Sequence, residues 1–135
     1  MKLLGFNLTK IQAERYPKQG NDIKIETNID ISDLSGVKSD MLKKEELLGV
    51  KFEYTIKYSI DFAIISFGGN LLFSGDSKEV SEILDSWKNK QIPEKFKEFL
   101  FNIILKKSSL RALQLEDELN LPSHIPMPSL NFEKK

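Results

Sequence analysis

A chain of 135 residues is long enough to bury a real core as one domain spanning 1–135, yet short enough that an extended sheet can need a partner subunit to finish its burial. Twenty basic and twenty acidic side chains cancel, and lysine heavily outnumbers arginine, so neither a positive field nor the usual bidentate readers of phosphate and base are at hand; nucleic acid is not an expected partner. With no cysteine, disulfides, thiolate metal sites and thiol nucleophiles are all excluded. The N-terminal Met1-Lys2-Leu3-Leu4-Gly5 is too short and too soon polar for a signal peptide, and no apolar run approaches membrane-spanning length. A cytoplasmic protein without membrane contact is expected.

In chain order, Phe6-Asn7-Leu8-Thr9-Lys10-Ile11-Gln12-Ala13 begins as an alternating strand and shifts parity between Leu8 and Ile11, as one extra residue would cause, so the first strand should be bulged. After the turn signals Pro17 and Gly20-Asn21-Asp22, a second alternation puts Ile23, Ile25, Thr27, Ile29 and Ile31 on one side. Lys24, Glu26, Asn28 and Asp30 fall on the other. Residues 32–49, with a Lys43-Lys44-Glu45-Glu46 cluster, read as a polar connection.

Residues 50–62 then alternate apolar and polar without an error, so every even side chain from Val50 to Phe62 lies on one side of a long, half-buried strand of antiparallel character. Phe52, Tyr54 and Tyr58 are among them, and something broad must cover that side. The chain's own C-terminal helix, a second copy and an unfolded client can each do so; for most of these aromatics the helix and a mate suffice. The strand is expected to run to about Asp61, with Phe62-Ala63-Ile64-Ile65-Ser66-Phe67 returning as strand four. Gly68-Gly69-Asn70 should bend or bulge that strand before Leu71-Leu72-Phe73.

Asp76 followed by Glu79 has capping-box spacing, and Val80, Ile83, Leu84 and Trp87 recur at helical intervals, giving a short amphipathic helix with Trp87 in the core. Ile92-Pro93-Glu94 opens a long helix, since proline suits the first turn and glutamate complements the dipole there. Its apolar stripe is Phe96, Phe99, Leu100, Ile103, Ile104, Leu110 and Leu113. Beyond Leu121-Pro122 the apolar residues Ile125, Met127, Leu130 and Phe132 alternate with prolines in an extended tail. Four strands followed by two helices make the fold class α+β.

Pairs of acids such as Glu94 with Glu98, and the run Glu116-Asp117-Glu118, read as solvated helix faces. His124, the single histidine, reads as a surface residue with no second imidazole to join it at a metal. No nucleophile or pKa-shifting pocket is apparent, so no enzyme, cofactor or metal site is expected.

This order of parts resembles the SecB family of export chaperones. The resemblance rests on Phe6-Asn7-Leu8-Thr9-Lys10-Ile11 in the first strand, a second alternating strand, a long hairpin, the Gly-rich stretch before an aromatic-serine pair at Gly68-Gly69-Asn70-Leu71-Leu72-Phe73-Ser74, and the Pro93-initiated helix with its proline-broken tail. It implies a four-stranded antiparallel sheet with a long C-terminal helix and a shorter helix packed on one face. It also implies assembly as a dimer or dimer of dimers, and an ATP-independent holdase that binds unfolded or partly folded polypeptides in apolar grooves. The family's acidic residues that dock the SecA motor would fall at Arg15, Gln19 and near Ser66, none of them acidic, so hand-off to that motor is not expected.

Client contacts are expected at the sheet margin and in the tail, at Phe6, Leu8, Ile25, Ile29, Leu121, Ile125, Met127, Leu130 and Phe132, because methionine and unfixed aliphatics repack around different partners. For the tail residues, a simple clamp that closes the subunit is the equal alternative. Two other functions are open to the chain: a dedicated interaction module, including an antitoxin-type chaperone, that uses the sheet only to assemble and recognises one protein partner, and a small-ligand binder with an aromatic-lined pocket between sheet and helix.

Overall fold

The computed structural model describes residues 1–17, 22–37 and 46–130. Its elements are β1 (Lys2–Arg15), β2 (Ile25–Val37), β3 (Glu46–Tyr58), β4 (Ala63–Gly75), α1 (Ser77–Trp87) and α2 (Glu94–Glu118). The strands form one antiparallel sheet in the order β1-β4-β3-β2, so the consecutive strands β1 and β2 are its two opposite edges. At about 4.8 Å per strand the edges lie roughly 14 Å apart.

The alternation in β3 sets the layering. Leu48, Val50, Phe52, Tyr54, Ile56 and Tyr58 are essentially inaccessible, and Ile65, Phe67, Leu71 and Phe73 of β4 continue the same surface. Each such side chain contributes about 1.5–3 kcal/mol by leaving water. Both helices lie on this side. Leu84 of α1 comes up beneath Gly36 of β2, and the Phe73 ring meets Phe96 of α2 edge-on at 5.3 Å and Phe99 at 5.9 Å. The expected α+β arrangement, a four-stranded antiparallel sheet with a short and a long helix on one face, is what the chain forms.

The opposite face is polar. Lys51, Glu53 and Lys57 are exposed there, and Lys10 reaches across β4 to Glu53 at 3.8 Å.

Several elements differ from the sequence reading, each for a visible reason. β1 is bulged at the expected place, between Leu8 and Lys10, and has a second bulge between Leu3 and Gly5. β4 itself runs unbroken through Gly68-Gly69-Asn70; the irregularity belongs to its neighbour, whose backbone comes so close to Gly69 that a side chain there would collide with it. β2 extends to Val37 and β3 starts at Glu46, leaving only part of the expected connection, because a bulge between Ile31 and Asp33 hides the continuing strand. The Lys43-Lys44-Glu45 part of the charged cluster lies outside the described residues. β3 stops at Tyr58, short of Asp61, because the hairpin turn takes residues 59–62, with Ser59 and Asp61 at φ of 46° and 63°.

The helix starts follow their local chemistry. Asp76 caps α1 by accepting the Glu79 N–H at 2.7 Å. The Glu79 carboxylate, however, turns to the Met1 ammonium 3.5 Å away. In α2 the buried ridge is Phe96, Leu100, Ile104, Ser108, Ala112, Leu115 and Glu116, while Phe99 and Leu110 of the expected stripe stay exposed. Trp87 is half-buried against the core, with the Lys90 ammonium over its ring at 4.6 Å.

Candidate functional site

Two apolar margins flank the covered centre of the sheet. On β1, Phe6 and Leu8 are half-buried, and the Phe6 ring stacks on Phe52 at 5.6 Å. On β2, Ile25 and Ile29 are half-buried and pair with Tyr58 and Tyr54. These four residues share a face, but two strands separate the pairs, so they form two margins and not one groove.

The remaining sequence candidates fall in the tail. Leu121 is buried in the core, whereas Ile125, Met127 and Leu130 are 38%, 54% and 85% exposed. Phe132 lies outside the described residues.

The β2 margin has an additional feature: an open backbone edge thirteen residues long, with no proline in it and a single bulge between Ile31 and Asp33 that leaves Ile25 to Ile31 regular. β1 presents the other edge, but two bulges twist it and break its ladder.

Over the Tyr58 end of β3 the structure places a polar network that sequence reasoning missed. α2 ends with Asn120 in the left-handed region at φ 52°, the Asn120 N–H donating to Asp117 O and the Leu121 N–H donating to Glu116 O. This paired 5→2 and 6→1 arrangement is a Schellman cap, and it turns the chain back along its own helix. Arg15 of β1 holds the turn by donating from Nη1 to the carbonyls of Leu119 and Asn120, both at 2.8 Å. The reversal brings His124 into α2. Its Nδ1–H donates to Glu116 Oε1 at 2.9 Å and its Nε2 lies 3.1 Å from Ser109 Oγ. The Tyr58 hydroxyl donates to Glu116 Oε2.

His124 and Glu116 are thus corrections to the sequence reading: both side chains are 2% exposed. A buried carboxylate needs donors and a buried imidazole needs an acceptor, and each satisfies the other.

Burial, the hydrogen bond to Glu116 and the carboxylate's negative charge all push the Tyr58 phenol far above its ordinary pKa. Burial also raises Tyr54, with a hydrogen bond from Ser109 working against it. Both phenols hold their protons more tightly folded than unfolded. Their contribution to stability is therefore complete below the unfolded value near 10 and is lost as pH climbs beyond it. Denaturation midpoints compared at about pH 8 and about pH 11 should drop less in Tyr58→Phe than in the parent chain. Parallel declines would contradict this placement of Tyr58.

Glu116, His124 and Ser109 have the spacing of an orienting acid, a base and a hydroxyl. Ser109, however, sits in mid-helix with its own N–H committed to the helix ladder, and two surface recesses among the described residues have linings that do not include it. Its partners suit a fastening better than a reaction. One of those recesses, about 660 Å³, is lined by Tyr16, Lys24, Glu26, Lys57, Ile60 and Asp61 among others. It opens on the polar side at the hairpin end, away from the sheet-helix interface where the small-ligand alternative would put its pocket. Among the described residues no group of three metal-ligating side chains converges, and no helix is long and apolar enough to cross a membrane.

No family model matches the chain, and no curated protein matches it. Among solved structures it is similar to the SecB-like chaperone Rv1957 of Mycobacterium tuberculosis, solved in complex with a ChAD peptide from the Rv1956 HigA1 antitoxin. The alignment covers 98% of this chain and 92% of that one, at 13% sequence identity and a TM-score of 0.46.

Proposed function

We propose that the chain is an ATP-independent holdase that binds extended, non-native polypeptide along the β2 edge. The observation that carries this reading is the coincidence of that open edge with the half-buried isoleucines Ile25, Ile29 and Ile31 beside it. An added strand would gain main-chain hydrogen bonds that ignore sequence, while its alternate side chains would cover the margin. Each Å² of apolar surface covered contributes about 25 cal/mol, without directional preference, so affinity and promiscuity have one source. Ile125, Met127 and Leu130, exposed on a proline-broken tail, would add adaptable apolar contacts.

The reading includes assembly of copies into a dimer or dimer of dimers, action in the cytoplasm, and no catalytic step. The alternative is a dedicated chaperone for a single protein partner.

The test is aggregation suppression. A denatured test protein is diluted into buffer with rising amounts of the chain, without nucleotide, and light scattering is followed. Suppression near stoichiometric amounts is expected, weakened when Ile29→Lys places a charge on the margin. No suppression at several-fold excess would overturn the general holdase and favour the dedicated partner.

A further inference from the structure

We infer that the β2 edge takes its client in a single phase: antiparallel to β2, with the client residues that bond the edge being the same ones whose side chains cover the apolar margin. This rests on the holdase reading above and specifies which polypeptides its site accepts.

The phase follows from one bond. The Ser59 N–H donates to Lys24 O at 2.7 Å, and these two residues lie directly across from each other because the register pairs Ile25 with Tyr58. Along an antiparallel ladder, opposed residues alternate between exchanging bonds and turning their polar groups away. Glu26, Asn28 and Asp30 therefore bond β3. Ile25, Thr27, Ile29 and Ile31 turn their N–H and C=O groups to the outer side, where no further strand follows. The bulge between Ile31 and Asp33 ends this regular run.

The side chains obey the same period. Ile25, Ile29 and Ile31 are half-buried against the core, with exposed Thr27 in their row, while Glu26, Asn28 and Asp30 are exposed on the opposite face. The free backbone groups and the apolar side chains thus belong to one set of residues. In an antiparallel added strand, the residue opposite Ile29 exchanges both main-chain bonds with it and puts its side chain on the same face. One alternate set of client residues then supplies both the bonds and the apolar cover. A parallel strand would bond through the residues on either side, whose side chains face the polar surface, and its pairing is slightly less stable. Proline is excluded from the bonded set because it has no N–H to donate, and is accepted in the other set, whose N–H groups face water.

A second copy is the rival occupant of this edge. Pairing two β2 edges brings Glu26 and Asp30 of both copies together on one face, and a two-fold axis at Asn28 sets each Glu26 directly against an Asp30. β2 contains no lysine or arginine to relieve that repulsion. The edge therefore suits a foreign strand with apolar residues at alternate positions.

The experiment uses the full chain and a labelled synthetic peptide with valine at alternate positions and threonine or lysine between them. Its affinity is compared with that of two versions of the same peptide, one N-methylated on the valines and one on the intervening residues. Methylating the valines should weaken binding at least about tenfold, and methylating the intervening residues by less than about twofold. Hydrogen exchange should slow at the Ile25, Thr27, Ile29 and Ile31 amides when the unmodified peptide binds. Equal losses in the two methylated peptides overturn the single phase. A larger loss from the intervening set overturns the antiparallel direction. No loss in either shows that side-chain cover alone binds, which overturns the backbone contribution and leaves the holdase standing. Edge amides already protected before peptide is added give the edge to another copy and overturn the proposal. Binding of reduced, carboxymethylated α-lactalbumin without binding of the peptide also overturns it while the holdase stands. If neither binds, the holdase reading fails and the phase fails with it.

Discussion

Replacing Glu116 by alanine is expected to destabilise the fold by about 3 kcal/mol, a fall of roughly 10 °C in Tm for a domain of this size. The cost comes less from the bonds lost than from what remains. Without the carboxylate, the Tyr58 hydroxyl and the His124 Nδ1–H are left buried with no acceptor, and each unsatisfied group costs about 1–3 kcal/mol. Glu116→Gln should recover most of the loss. Its amide oxygen can still accept from Tyr58, and its NH2 can donate to a histidine that shifts its proton to Nε2. Denaturant titration of the three chains gives the comparison. A Glu116→Ala stability within about 1 kcal/mol of the parent would show that the network does not hold the end of α2 to the sheet.

The second large effect belongs to Gly69→Ala, expected at about 3 kcal/mol. Gly69 opposes Leu8 on one side and Phe52 on the other. A Cβ there would meet the Asn7 carbonyl oxygen and lie 2.8 Å from Phe52 Cε1. Neither neighbour can retreat, because one is backbone beside a bulge and the other is a buried ring stacked on Phe6. Gly5→Ala is the internal control. Nothing lies within 4 Å of its added carbon, so its effect should stay within about 0.5 kcal/mol. Equal effects at the two positions would refute the close approach of β1 to β4 at Gly69.

The parts of the fold most legible in the sequence were those where a single period controls burial. Val50, Phe52, Tyr54, Ile56 and Tyr58 alternate because one face of β3 is dry, and the parity shift after Leu8 marks a real bulge. Asp76 and Pro93 mark helix starts because the chemistry of a helix end is local. The same bulge that was readable in β1 was overlooked in β2. There the inward set moves from Ile31 to Leu34 through Ser32 and Asp33, and polar composition disguised the strand.

His124 and Glu116 could not be read as a pair. One is a lone histidine after a proline and the other sits in an acidic run, and only the chain reversal at Asn120 makes them neighbours. A weak signal was present in Asn120 itself, since asparagine tolerates the left-handed conformation that ends a helix this way. Similarly, periodicity placed Phe6, Leu8, Ile25 and Ile29 on one face but could not give the strand order, which sends them to opposite margins.

The most direct test of the central claim is backbone hydrogen exchange of the chain with and without saturating reduced, carboxymethylated α-lactalbumin. The account expects new protection at amides of residues 25–31 that β3 leaves unpaired, with the polar recess near Lys57 and Asp61 unchanged. Binding with no protection along β2, or with protection confined to that polar recess, would contradict it.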